Sequence, residues 1–165
     1  MNLKAEEKTE TCNKRGEKIK EDKPVKQKRK CERTLIIIKP DGVQKKLIGR
    51  IISRFEDDGL EIERIRVLHI DKNIALIHYK EHVEKPFFPK LLQYITSGPS
   101  IVMVIKGENA VARARELIGC TNPEKADKGT IRGDFGTDIT INVVHGSDSE
   151  SSAEREINIF FGNYL

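Results

Sequence analysis

The chain has 165 residues, 34% of them charged, with 30 Lys and Arg against 26 Asp and Glu and three Cys. That length suits a single domain with a core of its own. No apolar run approaches the roughly 18 residues of a membrane span, and the N-terminus lacks an apolar signal segment, so the sequence reads as soluble and cytoplasmic. Cys12, Cys31 and Cys120 are odd in number and lack metal-ligand spacing, as expected of free thiols in a reducing compartment.

The charge is unevenly spread. In residues 1–30 Lys and Arg outnumber Asp and Glu by 11 to 6, which leaves 19 against 20 in the remainder. The basic excess therefore belongs to the N-terminal segment and carries no information about the substrate of the rest. In residues 1–31 Leu3, Ile19 and Val25 stand isolated. Such a segment cannot offset its ordering entropy by burial, so it reads as a disordered, Lys-rich extension ahead of a domain over 32–165. Its cluster Lys26-Gln27-Lys28-Arg29-Lys30 fits a weak polyanion contact, a nuclear address or a merely solvated tail.

Regular patterning begins after Glu32. The run Leu35-Ile36-Ile37-Ile38 predicts a short strand buried on both faces. Lys39-Pro40-Asp41-Gly42 predicts a turn, in which Pro presets one dihedral and Asp-Gly accommodates the rest. Ile48, Ile51, Ile52 and Phe55 recur at helical spacing, with Gly59 as the stop. Ile65 and Val67 alternate with Arg64 and Arg66, the pattern of a half-exposed strand. A helical and loop stretch runs through Tyr79, Pro86 and Leu91. Ile101 to Ile105 predicts a second fully buried strand, and Val111, Ala114, Leu117 and Ile118 a helix closed by Gly119. Residues 119–138 read as a long, polar, irregular loop, a length that inside one domain usually signals function. Ile139 to Val144 predicts the last strand. The following helix has Ser147 and Glu150 placed as a capping box and Ala153, Ile157, Phe160 and Phe161 as its apolar face. The order βαββαβ plus a closing C-terminal helix predicts an α+β, ferredoxin-like fold, a mostly antiparallel sheet with helices on one face.

His145 lies where the last strand empties into a glycine-containing turn. An imidazole there is exposed enough to react and fixed enough to aim, and its lone pair attacks at neutral pH without a separate base. The lysine-bearing turn at Lys39 and the arginine-bearing loop Gly129-Thr130-Ile131-Arg132-Gly133-Asp134-Phe135 add cations suited to phosphate. Together they predict a phosphate-handling enzyme with a histidine nucleophile. No Walker loop and no protein-kinase loop set occurs, so neither of those folds is implied.

Several of these segments, in order, resemble the nucleoside diphosphate kinase family. They are Cys31-Glu32-Arg33-Thr34, Ile38-Lys39-Pro40-Asp41-Gly42-Val43-Gln44, Pro86-Phe87-Phe88, Ser97-Gly98-Pro99, Thr121-Asn122-Pro123, the loop 129–135, and Asn142-Val143-Val144-His145-Gly146-Ser147-Asp148-Ser149. The resemblance implies a ping-pong reaction, in which a nucleoside triphosphate phosphorylates His145 and a second nucleoside diphosphate takes the group. It makes Glu156 the holder of the other ring nitrogen and places Ser147 beside the nucleophile. Lys39, Arg115 and Arg132 would neutralise phosphates, Tyr79 and Thr121 would donate hydroxyl hydrogen bonds, and Asn142 would reach the sugar. Phe87, with Leu91 near it, would meet the base. Mg²⁺ is implied as a cofactor carried in by the nucleotide phosphates, with no protein ligands of its own. A homo-oligomer, hexamer or tetramer, is implied as well.

Read as residues alone, some of these positions stay open. Glu156 also fits a solvated helix charge like Glu154, Phe87 and Leu91 also fit an ordinary core, and His69, His78 and His82 read as packing or surface histidines. Many relatives carry an arginine where this chain has Ile141, and many continue past the position of Leu165; both differences bear on subunit contacts. A polyanion-binding protein tethered by its basic tail is the alternative function.

Overall fold

The computed structural model describes residues 30–162. Residues 1–29 of the segment expected to be disordered, with most of its basic cluster and Cys12, lie outside the described residues, whereas its last residue, Cys31, begins the first strand.

The first strand, β1 (Cys31–Ile38), is the centre of the sheet. Its residues Leu35 to Ile38 are all fully buried. Because a strand alternates its side chains, Ile36 and Ile38 enter one apolar cluster and Leu35 and Ile37 another. On one side β1 pairs antiparallel with the strand β3 (Pro99–Glu108), with Leu35 opposite Val104 and Ile37 opposite Val102. On the other it pairs antiparallel with β4 (Val144–Gly146), which sets His145 opposite Ile37. The edge strand β2 (Glu61–His69) pairs antiparallel with β3 and carries a bulge between Ile62 and Arg64. The order β2-β3-β1-β4 is the expected α+β, ferredoxin-like sheet.

Helices cover both faces of this sheet and not one. The helices α2 (Ile48–Asp57) and α5 (Ala110–Ile118), with the short α6 (Ile131–Phe135), pack against the face of Ile36 and Met103. The helices α3 (Lys72–His78), α4 (Phe88–Ile95) and α7 (Glu150–Phe161) pack against the face of Leu35 and Val102. The two central strands explain the difference: they are apolar at successive positions, so each pleat face needs a cover.

Four local expectations are corrected. The turn at Pro40 is the start of a short helix, α1 (Pro40–Gln44), for which proline's fixed dihedral suits the first helical position. The loop 119–138 contains a 3₁₀ turn, Pro123–Lys125, and α6, which Thr130 caps by accepting from the Gly133 N–H at 3.1 Å. The last strand is confined to Val144–Gly146, because the Asp138 carboxylate accepts from the N–H groups of Thr140 (2.7 Å) and Ile141 (2.8 Å) and turns the chain there. Ser149, not Ser147, caps α7, its hydroxyl accepting from the Ser152 N–H at 3.2 Å. Ile65 and Val67 on β2 remain 49% and 68% exposed, while Arg64 and Arg66 lie over the Phe161 ring. Cys31 and Cys120 are free thiols, as expected.

Candidate active site

The end of β1, the strand β4 and the helices α3 to α7, with the loop before α6, bring the predicted residues together. Val143, immediately before β4, adopts φ 60°, a left-handed conformation that a β-branched residue holds only when its surroundings impose it. Its carbonyl accepts from the Lys39 N–H at 2.8 Å, which ties the end of β1 to the approach of β4. Gly42 makes that closeness workable: a Cβ there would stand 2.8 Å from Ile38 Cγ2 and 3.1 Å from the Val143 carbonyl oxygen. The same turn sets the Lys39 ammonium 2.7 Å from Asn142 Oδ1. The Asn142 amide nitrogen donates to the carbonyls of Thr121 (3.0 Å) and Ile139 (2.9 Å). Asn142 thus acts in this structure as the fastener between Lys39 and the loop that carries Thr121.

His145 is held from α7. Its Nε2 lies 2.9 Å from Glu156 Oε2, and Glu156 is only 4% exposed. A buried carboxylate at that distance accepts the ring N–H, which leaves Nδ1 as the nitrogen with a free lone pair. The Ser147 hydroxyl donates to the same Glu156 oxygen at 2.8 Å and accepts from the Leu35 N–H at 3.2 Å. Ser147 therefore anchors Glu156 to β1 and has no part in capping. Arg155 approaches the other Glu156 oxygen at 3.5 Å.

Cations surround this pair. The Arg132 guanidinium donates to the carbonyls of Gly119 (3.2 Å) and Val144 (3.0 Å) and to the Thr121 hydroxyl (3.4 Å). Burial, and then the charge of Arg115, lower its pKa to about 10. Burial lowers the Lys39 ammonium to about 7, the Arg132 charge adding to the effect and Asp41 opposing it. Both cations are thus held partly desolvated, an arrangement that favours the arrival of an anion. The Tyr79 phenol is buried without a hydrogen-bond partner among the described residues, and burial pushes its pKa up, so it stays a donor.

These side chains line a cavity of about 500 Å³. Ten of the eleven residues named from the sequence line it: His145, Glu156, Lys39, Arg132, Asn142, Thr121, Tyr79, Arg115, Phe87 and Leu91. Ser147 stands behind the wall. Leu91 belongs to the core at 7% exposure, whereas Phe87 presents a ring 47% exposed at the rim.

Other residues at the site were not read as functional. His78, taken as a packing or surface histidine, is 5% exposed with its ring centroid 4.8 Å from that of His145, edge-on at 80°. Burial, and secondarily the proximity of His145, hold its pKa well below the ordinary value, so it is neutral. Asp148 lines the same cavity, its carboxyl kept below the usual range chiefly by a Ser152 hydrogen bond. Asp148 lay inside a segment already singled out and Arg155 adjoins Glu156, which are the signals that could have found them. For His78 the one signal was its neighbour Tyr79. A cavity with a lone-pair nitrogen at its floor, cations around it and an aromatic rim suits a phosphorylated ligand that ends in a flat ring.

The family model described as nucleoside diphosphate kinase matches residues 32–164. A nucleoside diphosphate kinase of Methanobrevibacter smithii is 53% identical over 130 residues, 79% of this chain and 87% of that protein. One of Archaeoglobus fulgidus is 54% identical over 132 residues, 80% of this chain and 87% of that protein. Among solved structures, the nucleoside diphosphate kinase of Aquifex aeolicus superposes with a TM-score of 0.78 at 40% identity, covering 81% of this chain and 97% of its own. The apo enzyme of Encephalitozoon cuniculi gives 0.78 at 42%, covering 80% and 90%.

Proposed function

The chain belongs to the nucleoside diphosphate kinase family and transfers phosphoryl groups between nucleotides, and we propose that His145 Nδ1 is the atom that carries the group. The observation behind this assignment is the 2.9 Å contact between His145 Nε2 and the buried Glu156 carboxylate, on the floor of a cavity lined by Lys39 and Arg132. With Nε2–H held by Glu156, Nδ1 attacks the terminal phosphorus of a nucleoside triphosphate. A bond forms between nitrogen and phosphorus, the bond to the bridging oxygen breaks, and the nucleoside diphosphate departs with those electrons. The ring gains positive character as it attacks, and the Glu156 carboxylate opposes that charge directly. In the second half-reaction a terminal phosphate oxygen of another nucleoside diphosphate displaces the imidazole, so one site serves donor and acceptor in turn.

The remaining residues divide positioning from charge neutralisation. Lys39 and Arg132 meet the terminal phosphates and Arg115 an outer one, Arg being suited to grip two oxygens at once. The Tyr79 phenol and the Thr121 hydroxyl donate to phosphate oxygens. Asn142 reaches a sugar hydroxyl by exchanging one of its present carbonyl contacts. Phe87 offers its ring face to the base, a contact every base makes, which accounts for tolerance of the nucleoside. The walls present several cations and, at the outer part, the Asp148 carboxylate, a set that suits Mg²⁺ brought in on phosphate oxygens and not a dedicated protein cage. When bound, Mg²⁺ neutralises phosphate charge beside these residues. The reading extends to a cytoplasmic homo-oligomer, for which the exposed Ile65 and Val67 on the edge strand β2 supply an apolar surface that a second copy would cover.

The test is to mix the protein with γ-labelled ATP and Mg²⁺ without acceptor. The expected product is an acid-labile, alkali-stable label on the protein that disappears on adding a second nucleoside diphosphate and is absent from His145→Ala. Label retained by His145→Ala would refute the assignment.

A further inference from the structure

His78 has no part in the reaction just described, yet it is a buried titratable group beside the nucleophile. It is 5% exposed, and neither ring nitrogen has a hydrogen-bond partner among the described residues. A buried imidazole without partners gives up the hydrogen bonds that water would supply, and such a group calls for an explanation. One donor atom from each of His78, His145 and Glu156 lies within 4.8 Å of the others, and all three residues line the same cavity.

We infer that His78, His145 and Glu156 form a site for a borderline d-block cation, of which Zn²⁺ is the type, and that occupancy switches off phosphoryl acceptance. Two imidazoles and one carboxylate make a donor set that zinc favours, and three protein ligands leave a fourth position open toward the cavity. Mg²⁺ prefers oxygen ligands and does not compete for it. At zinc's ligand distances the donors would stand about 3.3 Å apart, so the present spacing closes with a ring shift on the order of 1 Å. Ligation requires the proton between His145 Nε2 and Glu156 to vacate that contact. The ion takes that proton's place at Nε2, the proton moves to Nδ1 so that the ring ligates as a neutral imidazole, and the ring is fixed beside a positive charge. A protonated Nδ1 has no lone pair with which to attack phosphorus, and the open coordination position holds a phosphate oxygen instead.

The consequence for catalysis rests on His145 as the nucleophile; the existence of the site does not. The test uses the full chain carrying Cys12→Ser, Cys31→Ser and Cys120→Ser, which removes thiolate ligands, and titrates it with Co²⁺ as a visible stand-in for Zn²⁺. One equivalent should give strong tetrahedral bands that Zn²⁺ abolishes, and His78→Gln should weaken binding on the order of 10–100-fold or more. Zn²⁺ at one equivalent, with Mg²⁺ in excess, should suppress labelling by γ-labelled ATP at least tenfold, and a chelator should restore it. X-ray absorption of the Zn²⁺ form should resolve two imidazoles and a carboxylate, which tests the site without relying on a variant that must fold. Bands unchanged in His78→Gln, a single imidazole in the absorption spectrum, or full labelling with one Zn²⁺ bound would each overturn the proposal. Absence of label in the metal-free protein would instead strike at the phosphohistidine reading, while the Co²⁺ bands would still report on the site.

Discussion

Replacing Glu156 by Gln isolates the charge from the shape of the group that holds His145. The carboxylate is 4% exposed and one of its oxygens accepts both from His145 Nε2 at 2.9 Å and from Ser147 at 2.8 Å. Glutamine has the same size and can still offer a carbonyl oxygen to both donors, so the imidazole keeps roughly its place. What is lost is the negative charge opposite a ring that becomes cationic in the transition state. A hydrogen bond to a charged group contributes about 1.5–3 kcal/mol against about 0.5–1.5 for a neutral one, a difference of about 1–2 kcal/mol. Converted to rate, that is a slowing of about 5- to 30-fold in phosphohistidine formation. Rapid quenching of a single turnover with γ-labelled ATP measures the step directly, and ATP affinity, measured on His145→Ala with and without the change, should stay the same. An unchanged single-turnover rate would refute the argument and reduce Glu156 to a scaffold. A loss confined to ATP affinity would refute it differently, by placing Glu156 among the binding groups.

Three further outcomes follow from the site. Lys39 titrates near 7 in the free protein against 10.5 unperturbed, so between those values the unfolded chain binds the extra proton and stability rises with pH through that window. Phosphate returns the proton to Lys39; nucleotide binding should therefore take up a proton near pH 8 and weaken as pH rises, a linkage that calorimetry in two buffers should detect and that Lys39→Met should abolish. Gly42→Ala drives a Cβ against Ile38 and the Val143 carbonyl; urea unfolding should register a loss of about 1–3 kcal/mol, and an unchanged midpoint would mean the turn relaxes freely. Phe87→Ala removes an exposed ring and should raise KM for purine and pyrimidine nucleotides alike by about 5-fold or more with the melting temperature unchanged, whereas an effect on one base alone would contradict simple stacking.

The elements legible in the sequence were those fixed by local pattern. The apolar runs at Leu35–Ile38 and Ile101–Ile105 and the helical stripe from Ile48 to Phe55 sufficed for the central strands and α2. The segments around Lys39, Arg132 and His145 were visible because each compresses several site residues into a few positions. Long-range geometry was not legible. Ser147 is spaced from Glu150 as a capping residue would be, and only the approach of Leu35 and Glu156 diverts its hydroxyl. The second helical layer was missed because α3 and α4 are short, with Pro86 in the segment between them and Pro89 in the first turn of α4, so neither periodicity runs long enough to declare a face. His78 carries no pattern of its own; its significance is conferred by β4 and α7, which arrive from the other end of the chain.

The same geometry explains why the site belongs at this edge of the sheet. Lys39 and Arg132 are desolvated, the Tyr79 hydroxyl and Arg132 Nε lack partners among the described residues, and Val143 holds a left-handed backbone. Each is a departure from the low-energy choice, on the order of 1–3 kcal/mol for an unpaired buried polar group or a strained residue. They are tolerable together because β1 fastens them to a core whose residues Leu35 to Ile38 exclude water entirely. A polyanion entering the cavity would meet these donors and cations at once. Nucleotides should accordingly stabilise the fold in proportion to their phosphates, triphosphate above diphosphate above monophosphate. Equal stabilisation by all three would mean that the base rim, and not the cationic floor, dominates binding.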